Sequence, residues 1–140
     1  MTNKTSVTKG SLVNRKWYLV DLSGKTLGRI CTEIAAILIG KDKTTFSYHR
    51  DDGDYVVAIN AKDVQVTGRK PKQKLYQHYT GYHGGIKEFT FTEMMNKDPR
   101  QIIMHGVKGM LPKNKLRDRR MTRLKVFVDG EHKYADKISK

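Results

Sequence analysis

The sequence predicts an α/β domain with a parallel sheet, and three stretches predict it. Lys16-Trp17-Tyr18-Leu19-Val20-Asp21 is a short apolar run rich in aromatic and β-branched residues, the composition of a strand. From Leu27 to Ile39, the apolar residues Leu27, Ile30, Ile34, Ile37 and Leu38 recur at three-four spacing, which puts them on one face of a helix. Tyr55-Val56-Val57-Ala58-Ile59-Asn60 is almost continuously apolar, as expected of a strand covered on both faces. Strand, helix and strand within about forty residues form a βαβ unit, whose crossover is right-handed in nearly all proteins.

The remaining elements follow in order. Residues 1–15 lack periodicity and are expected to form a flexible arm ahead of a single domain at 16–132. Ser23-Gly24 makes a turn, Thr26 is the candidate N-cap of the first helix, and Gly40 ends it. Lys41 and Lys43 then sit where cations complement a helix C-terminus. Val64 to Gly68 reads as a third short strand, with Asp63 in the tight connection before it. Thr92 is expected to start a helix through Met94 and Met95. Asp98-Pro99 starts another through Ile102, Ile103 and Val107, since proline suits a first helical position. Leu124-Lys125-Val126-Phe127-Val128 reads as a strand, and residues 133–140 as a tail. Trp17, Cys31, Met94 and Met95 read as core.

Charge carries the functional signal. The 140 residues include 28 Lys plus Arg against 14 Asp plus Glu, a formal net charge of +14. Between Arg69 and Lys125 stand 15 basic and 4 acidic residues, a net of +11, which leaves +3 for the rest. The densest run, Lys113 to Lys125, holds Lys113, Lys115, Arg117, Arg119, Arg120, Arg123 and Lys125 against Asp118 alone. A small domain gains nothing for its own fold from such repulsion, so a polyanion is the expected partner. A second stretch, Arg69 to Gly85, interleaves Lys70, Lys72 and Lys74 with Tyr76, His78, Tyr79, Tyr82 and His83, and closes on Gly84-Gly85. Cations alternating with aromatics and glycines suit an RNA backbone and its unstacked bases.

Other chemistries fit less well. No apolar run approaches the roughly 20 residues of a membrane-spanning helix, and Met1 to Lys16 has no apolar core of the kind a signal peptide needs. Cys31 is the single cysteine, which excludes an internal disulfide or a cysteine-based zinc cluster and fits a reducing cytoplasm. None of His49, His78, His83, His105 and His132 forms a metal-binding helical pair. Asp51-Asp52-Gly53-Asp54 has Lys62 where a calcium loop needs a carboxylate, so it reads as a turn that caps the next strand or pairs with Arg50. Ser23-Gly24-Lys25-Thr26 ends like a phosphate-binding loop, but Leu19 stands where that loop needs its first glycine. A nucleotide-dependent enzyme built on this turn is the rival reading, and the amides at the helix start offer a phosphate site on either reading.

Four stretches together identify a resemblance. They are Trp17-Tyr18-Leu19-Val20-Asp21 through Gly24-Lys25-Thr26-Leu27-Gly28-Arg29; Gly53-Asp54-Tyr55 through Ile59-Asn60-Ala61; Tyr79-Thr80-Gly81-Tyr82-His83-Gly84-Gly85; and Val107-Lys108-Gly109-Met110-Leu111-Pro112-Lys113. In this order, over about residues 15 to 132, they resemble the bacterial form of the large ribosomal subunit protein thirteen family. The chain departs from the family pattern at Leu116-Arg117-Asp118 and again at Glu131 to Asp136. The resemblance implies a three-layer α/β/α domain around a four-stranded, mainly parallel sheet. It also implies a non-enzymatic structural role in the cytoplasmic ribosome: binding large-subunit rRNA early in assembly, beside neighbouring ribosomal proteins. In some relatives it extends to messenger RNA and translational autoregulation. Neither cofactor, metal, membrane nor homo-oligomer is expected.

The expected RNA contacts are Lys113, Lys115, Arg117, Arg119, Arg120, Arg123 and Lys125, then Arg69, Lys70, Lys72 and Lys74. Tyr79, Tyr82 and His83 are candidates for stacking or 2′-hydroxyl contacts, and Lys25, Arg29 and Lys108 for further phosphates. On this reading, replacing Arg119 and Arg120 together by alanine weakens rRNA incorporation and leaves the fold intact.

Overall fold

The computed structural model describes residues 13–138. The expected arm lies outside the described residues at 1–12; the part that is described, at 13–15, is tied to the domain. Arg15 donates from its guanidinium to the carbonyls of Gly53 (2.6 Å) and Asp51 (2.9 Å).

Strand β1 (Trp17–Asp21), helix α1 (Leu27–Ile39) and strand β2 (Tyr55–Ile59) form the βαβ unit, and β1 and β2 pair in parallel from Trp17↔Tyr55 to Asp21↔Ile59. The chain continues through a 3-10 turn (Ala61–Asp63), α2 (Lys70–Gln73) and the antiparallel hairpin of β3 (Leu75–Tyr79) and β4 (Ile86–Thr90). Helices α3 (Phe91–Lys97), α4 (Pro99–Met110) and α5 (Leu116–Thr122) follow, then β5 (Leu124–Val126) and a last short helix α6 (Ala135–Ile138). Strand β5 pairs in parallel with β2, so the main sheet has the order β1-β2-β5.

This is an α/β fold with a parallel sheet, as the periodicities predict. The sheet has three strands rather than the expected four. The segment from Val64 to Gly68 makes a single parallel bridge, Thr26↔Gln65. Gln65 takes up both polar groups beside the start of α1: its amide donates to Lys25 and its carbonyl accepts from Leu27. The left-handed turn at Gly68 then leads the chain into α2 before a ladder can extend.

Alternation along the strands divides the sheet. Val56, Ala58 and Leu124 face α1 and α4 and join a core with Ile30, Ile34, Leu38, Ile102, Ile103 and Val107. Cys31 belongs to this core; burial pushes its thiol up to about 11, so it is no nucleophile at neutral pH. Gly106 lets α4 approach α1 closely, because a Cβ there would stand 2.7 Å from the Cys31 sulfur. The opposite face carries an aromatic stack instead. Trp17 lies on Tyr55 at 4.3 Å and Tyr134 lies on Trp17 at 5.1 Å, with Lys137 over the Trp17 ring. Trp17 is therefore half-buried in a stack rather than part of the helix-covered core, and the C-terminal segment helps cover this face.

Capping explains the helix starts. Thr90 accepts from the Glu93 amide while Glu93 accepts from the Thr90 amide, a capping box that starts α3 at Phe91. Thr92, the expected start, is already inside the helix. Asp98 caps α4 by accepting from the Arg100 amide, with Pro99 in the first turn as expected.

The acidic turn at Asp51–Asp54 is structural, and it ties distant parts of the chain together. Asp52 (2% exposed) pairs with Arg50 at 3.2 Å. Asp54 accepts from Lys43 and from the Lys16 amide, which drew Lys43 away from the helix-end role its position suggested. Between them, Gly53 packs so tightly on Leu38 that any Cβ would fall inside the Leu38 carbonyl. The Gly53→Ala protein is accordingly expected to lose about 3 kcal/mol by chemical denaturation, the upper range for overpacking a rigid site. Unchanged stability would show that the α1–β2 contact is looser than this geometry.

Candidate nucleic-acid interface

The basic run is sorted by helical period. Met110 ends α4, Leu111 is buried, and Asn114 starts α5 by accepting from the Leu116 amide at 3.1 Å. Lys108, Lys113, Lys115 and Arg119 are exposed; Arg117 and Lys125 are half-buried. Among the described residues none of these six makes an ion pair with a carboxylate.

Arg120 and Arg123 point inward, contrary to the expectation that they contact phosphates, with exposures of 1% and 6%. Arg123 grips Asp51 with both guanidinium ends (2.6 and 2.5 Å) and donates to the Leu38 carbonyl at 3.3 Å. Arg120 donates to the Arg50 carbonyl at 3.1 Å and stands 3.7 Å from Asp51. The acidic turn is thus the counter-charge for two of the seven cations in the run. The signal was present in the sequence: Arg120 follows Leu116 by four residues, on the inward stripe of α5.

Asp51 records the same pairing electrostatically. Burial alone would raise its pKa, but the Arg123 hydrogen bonds and the charges of Arg123, Arg15 and Arg120 outweigh burial and hold the carboxyl below its ordinary range. A depressed carboxyl contributes stability that is present above its unfolded pKa of about 3.9 and lost as pH falls through the folded value. Acid titration is expected to show this loss below about pH 4, and the Asp51→Asn protein is expected to show a shallower acid limb. An identical limb in both proteins would remove Asp51 from the account.

The second candidate stretch is not an open loop from Arg69 to Gly85, since it folds into α2 and the first half of the hairpin. Arg69, Lys70 and Lys72 are exposed around α2. Lys74 is half-buried, its ammonium 5.4 Å over the Tyr76 ring. The hairpin tip is fixed by its own backbone: Thr80 donates to the Gly85 carbonyl and Gly85 to the Tyr82 carbonyl, both at 2.9 Å. Gly81 and Gly84 supply the positive φ values, 92° and 69°, that this closure needs. The tip holds Tyr79 and Tyr82 in solvent, 60% and 80% exposed, with His83 exposed beside them. Tyr48, 83% exposed and supported edge-on by Phe46, is an aromatic of the same kind that the sequence reading missed, because it stands outside both basic stretches.

At the start of α1, Lys25 and Arg29 are exposed. In the adjoining turn, four amides are already used. Ser23 donates to the Asp21 carboxylate, Gly24 to Asp63, Lys25 to Leu22 and Leu27 to Gln65. Among the described residues no cluster of His, Cys, Asp and Glu could hold a metal ion, and no helix is long and apolar enough to cross a membrane. What the surface offers is ammonium and guanidinium groups with no carboxylate partner among the described residues, and an aromatic hairpin tip.

The family model described as ribosomal protein L13 matches residues 15–133. Over 132 residues the chain is 54% identical to the large ribosomal subunit protein uL13 of Clostridioides difficile strain 630, covering 94% of this chain and 92% of the relative. It is 49% identical to the protein of the same name from Agathobacter rectalis, covering 94% and 93%. The corresponding Roseiflexus sp. strain RS-1 protein is 44% identical, covering 94% and 90%. None of these names is that of an enzyme. With a family model spanning most of the described domain and relatives matched nearly end to end, this chain belongs to the ribosomal protein L13 family.

Proposed function

We infer that this protein is a non-enzymatic structural constituent of the large ribosomal subunit in the cytoplasm, where it binds large-subunit rRNA and helps the subunit assemble beside neighbouring ribosomal proteins. The observation that carries the reading is the set of exposed cations that have no carboxylate partner among the described residues: Lys108 in α4, Lys113, Lys115 and Arg119 before and within α5, and Arg69, Lys70 and Lys72 around α2. Half-buried Arg117, Lys125 and Lys74 extend the two groups, and Lys25 and Arg29 add a third at α1. These groups neutralise phosphates and fix the orientation of the RNA without reading its sequence. Tyr79, Tyr82 and His83 stack on unpaired bases or meet 2′-hydroxyls. Arg120 and Arg123 hold α5 against the acidic turn and so position Lys115 and Arg119.

Gradient fractionation of a lysate tests the reading. Comigration with the large subunit is expected, and it should be lost with Lys115→Ala plus Arg119→Ala in a protein of unchanged stability. A free pool of wild-type protein would overturn the assignment. The burial of Arg120 also revises the original test pair: Arg119→Ala plus Arg120→Ala would disturb the fold as well as the surface.

A further inference from the structure

Under the hairpin lies a groove of about 500 Å³, closed by the inner face of β3 and β4 on one side and by α3 and α4 on the other. Register explains its lining. Tyr76 pairs with Phe89 and His78 with Lys87, and strand alternation turns all four to the same face. Lys97 of α3 and His105 of α4 complete the opposite wall. No residue lining the groove is a carboxylate, and among the described residues neither Lys87 nor Lys97 has a carboxylate partner.

This combination selects a ligand. The two ammonium groups ask for an anion and the half-buried Phe89 ring for a flat partner, while Tyr76, 8% exposed, closes the floor. The His105 ring already meets Tyr76 edge-on at 5.6 Å. The Lys97 ammonium stands 4.8 Å over the Phe89 ring, on a face that an aromatic base could take instead. Displaced from the ring, Lys97 would be free to meet that ligand's phosphate. The volume is within the range of small-molecule sites. An acidic peptide would satisfy the lysines and leave the rings unused.

We propose that this groove holds one unpaired nucleotide of the bound RNA, its base against Phe89 and its phosphate among Lys87, Lys97 and His78. The proposal rests on the RNA-binding reading and adds a site to it: Lys87, Phe89 and Lys97 lie outside both basic stretches.

The test uses the full chain, with purified bacterial 23S rRNA as the probe. Filter binding over a salt series compares the wild type with Lys87→Gln plus Lys97→Gln and with Phe89→Leu. Ultraviolet crosslinking and mass spectrometry then locate nucleotide adducts. Losing one phosphate contact should lower the magnitude of the salt slope by about 1 in the lysine variant. Losing one stack should weaken Phe89→Leu about tenfold with its slope unchanged. Adducts are expected within residues 75–79 or 86–90. The lysine pair is exposed, so its result stands even if Phe89→Leu is unstable. Wild-type affinity and slope in the lysine variant, with no adduct in the groove, would overturn the proposal. So would wild-type rRNA binding combined with failure to enter the large subunit, which would assign the groove to a protein neighbour. Absence of any wild-type binding would remove the RNA-binding reading itself, and the groove's nucleotide with it.

Discussion

Replacing Arg123 by alanine is expected to destabilise the protein by about 3–5 kcal/mol, the cost of breaking a buried ion pair by removing one partner. Arg123 is 6% exposed, holds both oxygens of Asp51, and also reaches the carbonyl of Leu38 near the end of α1. Its removal leaves a largely buried carboxylate and a backbone carbonyl without their donor. Arg15 and Arg120 remain 3.6 and 3.7 Å from Asp51, too far to replace two hydrogen bonds of 2.6 and 2.5 Å. The fold reads this directly, because the same side chain joins α1, the acidic turn and the segment between α5 and β5. Urea denaturation measures the loss, and the melting temperature should fall by on the order of 10 °C or more. The control is Arg119→Ala, an exposed neighbour in the same run, for which stability should stay within about 0.5 kcal/mol of wild type. If Arg123→Ala kept full stability and lost RNA affinity instead, Arg123 would be a phosphate contact after all.

The second large effect is on binding. With about six phosphates contacted, affinity for 23S rRNA should fall roughly a thousandfold between 50 and 200 mM monovalent salt. The reason is counterion release: each phosphate neutralised by a lysine or arginine frees a condensed cation, and added salt opposes that release. The exposed partnerless cations of α5, its flanks and α2 supply the number required. Lys115→Ala plus Arg119→Ala should lower the slope by about 2 and weaken binding to every RNA sequence alike. Filter binding over a salt series measures both. A flat response would remove electrostatics as the source of affinity and return the hairpin aromatics to first place.

The two predictions concern neighbouring residues of one thirteen-residue run, and they show where local reading stops. The βαβ unit was legible because its signals are local: apolar runs for β1 and β2, three-four spacing for α1, glycine at its end. The start of α4 at Asp98-Pro99 was legible for the same reason, and Thr90 with Glu93 carried an equally local signal for α3 that the placement at Thr92 passed over. Lys70 and Lys72 on α2 and Arg119 on α5 were recognisable as surface cations from charge density alone. The hairpin was harder, because the cations and aromatics of Arg69 to Gly85 mask the alternation of β3, and its partner β4 lies beyond the glycines.

By itself, then, the sequence determined the fold class, the core stripe of α1, the excess of positive charge and the family. The tertiary structure decided which cations that excess leaves for a partner. Arg123 and Asp51 lie 72 residues apart, and Arg120 reaches the Arg50 carbonyl across 70. Charge counting along the chain treats Arg119 and Arg120 alike, whereas a single step along the helix, a rotation of about 100°, puts the first in water and the second at 1% exposure against an acidic turn. The physical reason is that a charge's role depends on what surrounds it in space: a buried guanidinium needs its carboxylate, and an exposed one is left free for a partner.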